Sequence, residues 1–371
     1  MSIHNIEQKR ALLALSRVPK LGLITLRRLL SLVPDPVELA QSGSELRDLG
    51  TFPEAFHRGL RESVDWFYAD QILKKTQNAE LDILSILDPG YPPRLKEISA
   101  PPPLLWVRGR TELLQQICIA VVGTRAPSLY GRKMTKLFVE GLASMGFVIV
   151  SGLANGVDAE AHKMALETSG QTIAVLGSGL DWIYPSSNRT LAKEMLLGGG
   201  LLVSEFPPGT SPAKEHFPIR NRTVSGMSVG VLVTESAQKG GSMITAATAR
   251  EQNREVFAIP HPLQVKSGSG CNQLIRMQSA KLVQSFEDIV DEFSLNIPKD
   301  AVPVLPFNDV EEHHLLPVQQ KILQEIGEME IHLQTLSKRV DIPLPRLYAY
   351  LLDLEVKGRI RQERGQMISK A

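Results

Sequence analysis

Hydrophobic positions along the chain change their period twice, and those changes divide it. In residues 1 to about 75 apolar side chains recur at helical spacing, which predicts short helices over 6–16, 23–32, 36–41 and 56–66. From 117 onward the pattern becomes short continuous apolar runs at 117–122, 147–151, 172–176, 201–204, 230–234, 256–259 and 281–283. Runs of that length suit strands buried on both faces. Amphipathic stretches separate them at 131–145, 157–168, 187–197, 221–227 and 242–252. Strands alternating with helices predict a doubly wound, mostly parallel α/β sheet, with the loops that follow the strands gathered on one edge.

Prolines mark the joints. The segment DPGYPPRLKEISAPPPLLWVRG, 88–109, is dense in them, and proline disfavours helix interiors and central strands. It is expected to run extended against the domain that follows. A second proline-bearing stretch, 296–312, reads as a linker. Beyond it helical spacing returns at 318–326, 333–340 and 344–357, and two short strands can flank Arg364-Gly365. Three helices and a hairpin make a winged helix. The expected domains are therefore 1–75 (helical), 76–295 (α/β), 296–312 (linker) and 313–371 (winged helix).

Charge and composition narrow the classes. The chain is 43% apolar and 22% charged with a net charge of +1, so any nucleic-acid binding must come from local patches. One such excess lies from Lys338 to Ala371, eight Lys/Arg against four Asp/Glu. A winged helix with that charge serves either nucleic acid or protein packing. The two cysteines, Cys118 and Cys271, form no spacing motif, which suits a reducing cytoplasmic setting. Neither a signal-peptide core nor a membrane span is read from the sequence, and no membrane partner is expected.

Candidate chemistry lies in the loops after the strands. GTRAPSLYG carries Gly123, Thr124, Arg125, Ser128 and Gly131 between a strand and a helix, where backbone N–H groups and a positive helix end can face an anion. SPAKEHFPIRNRT carries Lys214, Phe217, Arg220, Asn221 and Arg222, a basic cluster with an embedded ring. The third loop, TESAQKGGSMIT, brings Gly240, Gly241 and Ser242 to another helix start. Arginine offers phosphate a planar fork and a phenyl ring offers a base a stacking face, so the set fits single-stranded nucleic acid. About four neutralised phosphates would give a log–log salt slope of about −3. No glycine-rich loop ends in Gly-Lys-Ser/Thr, and Gly123 is not followed by the spaced glycines of a dinucleotide fingerprint. Asp158 and His162 stand at helical spacing, as an acid–base pair or a capping pair. His216 and His261 sit in no ligand pattern, and no metal or cofactor is expected.

The motifs VVGTRAPSLYG, IVSGLANGVDAEAH, AVLGSGLDWIYP, LVSEFPPG, FPIRNRTVSGMS and GGSMITAATA, in that order, resemble the DNA-processing protein A (DprA/Smf) family from about Asp88 to Asp291. The resemblance implies an extended Rossmann-like domain flanked by a small helical domain and a winged helix. It further implies a non-enzymatic, dimeric, single-stranded DNA binder that protects incoming DNA and brings RecA recombinase to it during natural transformation. The family's Gly-Ser/Thr-Arg arginine falls on Arg125, its Lys-x-x-Phe on Lys214 and Phe217, and its glycine-rich helix start on Gly240, Gly241 and Ser242. Two positions depart from the family pattern: Pro260-His261-Pro262 replaces a Pro-Gly turn, and Ser279-Ala280 a Gly-Ala. The N-terminal VPKLGLITLRRLL resembles a helix-hairpin-helix in which Lys20 replaces the first glycine. An alternative is a Rossmann-type phosphoribohydrolase-like enzyme, for which Glu235 is the candidate glutamate.

Overall fold

A computed structural model describes residues 3–42, 58–60, 62–293, 317–326, 331–356, 359–363 and 367–370. The expected linker, part of the expected helix at 56–66 and the turn at Arg364-Gly365 lie outside them. The chain forms two units, Met1–Val302 and Pro303–Ala371.

The first unit begins with helices α1 (Ile3–Leu15), α2 (Leu23–Leu32), α3 (Pro36–Ser42) and α4 (Trp66–Asn78). Of the expected helix at 56–66, residues 58–60 and 62 are helical, and α4 is a further helix that begins at Trp66. Asp65 caps it, its carboxylate accepting from Tyr68 N at 2.8 Å. Strand β1 (Asp82–Ser85), the short α5 (Pro93–Glu97) and β2 (Leu104–Gly109) follow. The proline-rich segment is thus partly regular. Its prolines precede β2, whose residues Leu104–Val107 are buried and pair antiparallel with β1, while Trp106–Gly109 pair antiparallel with β6.

The alternation then runs β3 (Cys118–Val122), α6 (Leu129–Ser144), β4 (Val148–Ser151), α7 (Val157–Thr168), β5 (Thr172–Leu176), α8 (Arg189–Leu197) and β6 (Leu201–Ser204). It continues with α9 (His216–Gly226), β7 (Gly230–Val233), α10 (Gly241–Glu251), β8 (Glu255–Ala258), α11 (Ser269–Arg276), β9 (Lys281–Leu282) and α12 (Glu287–Glu292). The nine strands lie in the order β1-β2-β6-β5-β4-β3-β7-β8-β9, parallel from β6 to β9.

Side chains alternate across this sheet and both faces are covered, which is why the strands read as unbroken apolar runs. Ile119 and Val121 pack with Phe138, Val139 and Leu142 of α6. Ala120 and Val122 face the other way, toward Val224 of α9 and Ala246 and Ala249 of α10. Further along, Ala174 and Leu176 of β5 share a core with Leu12, Leu29 and Ile72 of the N-terminal helices.

The chain order turns at β3: β4, β5 and β6 are laid down on one side of it and β7 on the other. Loops leaving β3 and β7 therefore diverge and leave a crevice at their carboxyl ends, where open α/β sheets bind ligands.

The second unit contains α13 (Pro317–Glu325), β10 (Ile331–His332), α14 (Leu333–Val340), α15 (Leu344–Val356), β11 (Ile360–Glu363) and β12 (Met367–Lys370). Its sheet has the order β10-β12-β11, so the expected hairpin gains a third short strand. Leu336, Leu347, Leu351 and Leu354 form its core.

Candidate functional site

The crevice beyond β3 and β7 encloses about 430 Å³. It brings together Gly123, Thr124 and Arg125 from the β3 loop, Lys214, Phe217, Arg220 and Asn221 around the start of α9, and Gly240, Gly241 and Ser242 at the start of α10.

Arg125 and Lys214 are exposed and have no ion-pair partner among the described residues. The Arg125 guanidinium carbon lies 5.7 Å from the centre of the half-buried Phe217 ring. Cation–π attraction thus places this charge beside a base-sized aromatic face. In the same crevice Gly240 begins α10 with no side-chain cap. The first N–H groups of that helix have no intrahelical acceptor, and they carry its positive dipole end. Ser242 does not serve them, since its hydroxyl donates to Ser236 Oγ at 2.7 Å.

Four of the expected site residues are engaged in contacts of the fold itself. Arg220 is only 6% exposed, and it donates to Gly152 O, Val175 O (2.8 Å) and Asn221 Oδ1 (3.0 Å). Burial and neighbouring Arg125 lower its pKa and Asp158 opposes them, yet an arginine remains charged in a protein. It is a fixed charge in the crevice floor and not a mobile phosphate ligand. Arg222, two positions along α9, turns away from the crevice. It pairs with Glu205 at 2.6 Å and donates to Ala100 O, tying α9 to the chain before β2.

Ser128 and Gly131 are occupied as well. Ser128 caps α6, its Oγ accepting from Gly131 N at 3.0 Å, and the same hydroxyl donates to Glu235 Oε2 at 3.0 Å. A Cβ on residue 131 would overlap the Glu235 carboxylate. The positive end of α6 is therefore matched by the protein's own carboxylate. That carboxylate is buried and bound to Ser128, which gives the glutamate of the enzyme alternative a structural occupation.

Asp158 and His162 do not form an acid–base pair. The Asp158 carboxylate accepts from Gly152 N (3.1 Å) and Ala154 N (3.3 Å), holding the loop after β4. Burial raises its pKa, partly offset by Arg220. His162 instead meets Thr172 at 2.7 Å, and Thr172 Oγ1 donates to Ile149 O. That hydroxyl must then accept from the histidine, so the network assigns the neutral ring its proton on Nδ1 and leaves Nε2 unpartnered. Burial, with Arg220 adding to it, lowers the His162 pKa to about 3.

Sequence reasoning missed Tyr184, whose ring centre lies 5.9 Å from that of Phe217. Its signal was the aromatic-rich DWIYP loop after β5, on the expected edge but without a cation. Among the described residues no cluster of His, Cys, Asp and Glu could hold a metal ion, and no helix is long and apolar enough to cross a membrane.

Comparison with known proteins agrees with this architecture. The family model described as DNA recombination-mediator protein A matches residues 82–294, and one described as DprA winged helix domain matches 310–366. Protein Smf of Escherichia coli strain K12 is 37% identical over 328 residues, covering 88% of this chain and 85% of that protein. The DNA processing protein DprA of Streptococcus pneumoniae is 42% identical over 228 residues, 62% of this chain and 80% of that one. The X-ray structure of DprA from Streptococcus pneumoniae aligns with TM-score 0.64 at 36% identity, covering 79% of this chain and 99% of that chain. A structure described as showing the single-stranded DNA binding mode of DNA processing protein A from Helicobacter pylori aligns with TM-score 0.52 at 30% identity, covering 58% and 96%. By these matches, and by a nine-stranded sheet whose switch-point crevice collects the family's motifs, the chain belongs to the DNA recombination-mediator protein A (DprA/Smf) family.

Proposed function

We propose that the crevice binds single-stranded DNA, and that the protein protects incoming DNA and brings RecA recombinase to it as a dimer in natural transformation. One observation carries the DNA reading: two exposed cations without an ion-pair partner among the described residues, Arg125 and Lys214, share one crevice with the Phe217 ring and an uncapped helix start. Backbone phosphates meet cations and N–H groups there, and a base meets the ring, an arrangement that tolerates many sequences. The Helicobacter pylori relative, described by its single-stranded DNA binding mode, supports the same assignment. RecA delivery and dimerisation rest on family membership.

The test is fluorescence anisotropy of a labelled oligothymidylate and of a duplex across several salt concentrations, with wild type, Arg125→Glu and Lys214→Glu. Tight single-strand binding that both variants lose supports the reading. Equal binding by all three proteins removes the crevice from it. A purified-component assay of recombinase filament growth on coated DNA tests the delivery step.

A further inference from the structure

The loop that places Tyr184 beside Phe217 continues backward to Trp182, and Trp182 opens onto a second cavity. That cavity, about 510 Å³, lies outside the crevice and is floored by Leu180 and Leu202, both buried. Trp182 is 50% exposed there. A half-exposed indole presents a face on which a base can stack. Around it stand three exposed cations, Arg108, Arg189 and Lys193. Arg108 has Glu80 at 3.9 Å, the outer limit of pairing. Arg189 and Lys193 have no ion-pair partner among the described residues. The one acid in the lining, Asp181, spends its carboxylate on Gly209 N, at 2.8 and 3.1 Å.

Cations around an exposed ring repeat the chemistry of the crevice, and one loop, 181–185, contributes to both places. A small cleft that continues the crevice is lined by Arg125, Asn155, Tyr184, Pro185 and Phe217. Tyr184 borders it and touches Phe217, and Trp182 is two residues, at most about 7 Å of backbone, from Tyr184. Phe217 and Tyr184 thus stand ring to ring, Trp182 lies two residues away in the same loop, and cations line the cavities at both ends of that stretch.

We infer that a strand leaving the crevice runs over Tyr184 into the Trp182 cavity, where the indole stacks a base and Arg189, Lys193 and Arg108 hold phosphates. The inference rests on the crevice being a single-strand site and extends it into a longer track. Stacking rings beside cation-lined cavities fit single-stranded nucleic acid better than a protein segment, because every base offers a π-face and every linkage a charge.

The full-length protein is titrated with labelled oligothymidylates of about six and about twenty nucleotides, reading anisotropy and tryptophan emission. The variants are Trp182→Ala, Trp182→Phe, the double variant Arg189→Glu/Lys193→Glu, and Arg125→Glu. Trp182→Ala should weaken the long oligomer by about 5- to 100-fold, from the ~1–3 kcal/mol measured per stacked base, and leave the short one nearly unchanged. Trp182→Phe should retain affinity and lose the emission quenching that the long oligomer produces in wild type. The charge reversal, on side chains that support no fold contact, should weaken the long oligomer too. Wild-type affinity in Trp182→Ala and in the double variant, with binding lost in Arg125→Glu, overturns the track and leaves the crevice standing. Wild-type affinity in Arg125→Glu overturns both, since the strand would then not start from the crevice.

Discussion

The Glu235 carboxylate, at the end of β7, accepts two hydrogen bonds from Ser128, one from its backbone N–H at 2.9 Å and one from its hydroxyl at 3.0 Å. Thr124 N also donates to Glu235 O at 2.8 Å. One residue thereby fixes both ends of the loop that carries Arg125. Replacing it by alanine takes the acceptor from two part-buried donors, each worth ~1–3 kcal/mol. Glu235→Ala should therefore lower unfolding free energy by about 2 kcal/mol or more in urea titrations, and weaken oligonucleotide binding although it touches no ligand. Ser128→Ala, which removes the cap and the hydroxyl's bond to Glu235 but keeps the backbone one, should lose about 1 kcal/mol.

The three arginines near the crevice should separate by what they damage. Arg125→Ala removes an exposed side chain, so stability should stay within about 0.5 kcal/mol while single-strand affinity falls. Arg220→Ala leaves the buried carbonyls of Gly152 and Val175 without a donor and should cost about 3 kcal/mol. Urea unfolding read beside anisotropy distinguishes the two.

Arg222→Ala strands the Glu205 carboxylate, whose pKa burial already raises, and should destabilise the protein by about 3 kcal/mol. It should leave the salt dependence of DNA binding unchanged. With Arg222 and Arg220 withdrawn from phosphate contact, two exposed crevice cations predict a log–log slope of about −1.4 for an oligonucleotide short enough to stay within the crevice, shallower than the four-cation expectation. A measured slope near −3 would restore the withdrawn residues or point to cations outside the crevice.

His162 should make the fold acid-sensitive. Its folded-state pKa of about 3 lies below the ~6.5 of an unfolded histidine, so the unfolded chain binds the proton first. The stability is fully present above about pH 6.5 and is lost as pH falls toward 3, by about 2 kcal/mol between pH 6.5 and 5. His162→Gln, which keeps a donor for Thr172 and does not titrate, should flatten that part of the stability–pH curve measured by chemical denaturation.

The strands were the most legible part of the sequence. The expected runs 172–176 and 201–204 coincide with β5 and β6, because a strand buried on both faces leaves an unbroken apolar run ending at a turn. The segment 88–109 was harder. Its prolines obscured Leu104–Val107, although a proline beside a strand does not interrupt that strand's hydrogen bonds. At the site, Arg125, Lys214, Phe217 and the glycine pair were readable from loop position and chemistry. Arg220 and Arg222 were not separable from them, since a guanidinium bound to carbonyls and one free in solvent are the same letter. Only the turn of α9 over β5 directs one toward Val175 O and the other toward Glu205.

The uncapped start of α10 has a consequence for how the crevice can be dissected. What it offers a ligand is main chain, and deleting side chains cannot remove main chain. An alanine scan would pass over it in silence, attributing all recognition to Arg125, Lys214 and Phe217. Gly241 has open space where a Cβ would stand, so the fold can accommodate bulk there and only an incoming strand would collide with it. Contacts of this kind reveal themselves by addition, and a larger residue at Gly241 is the substitution that makes them visible.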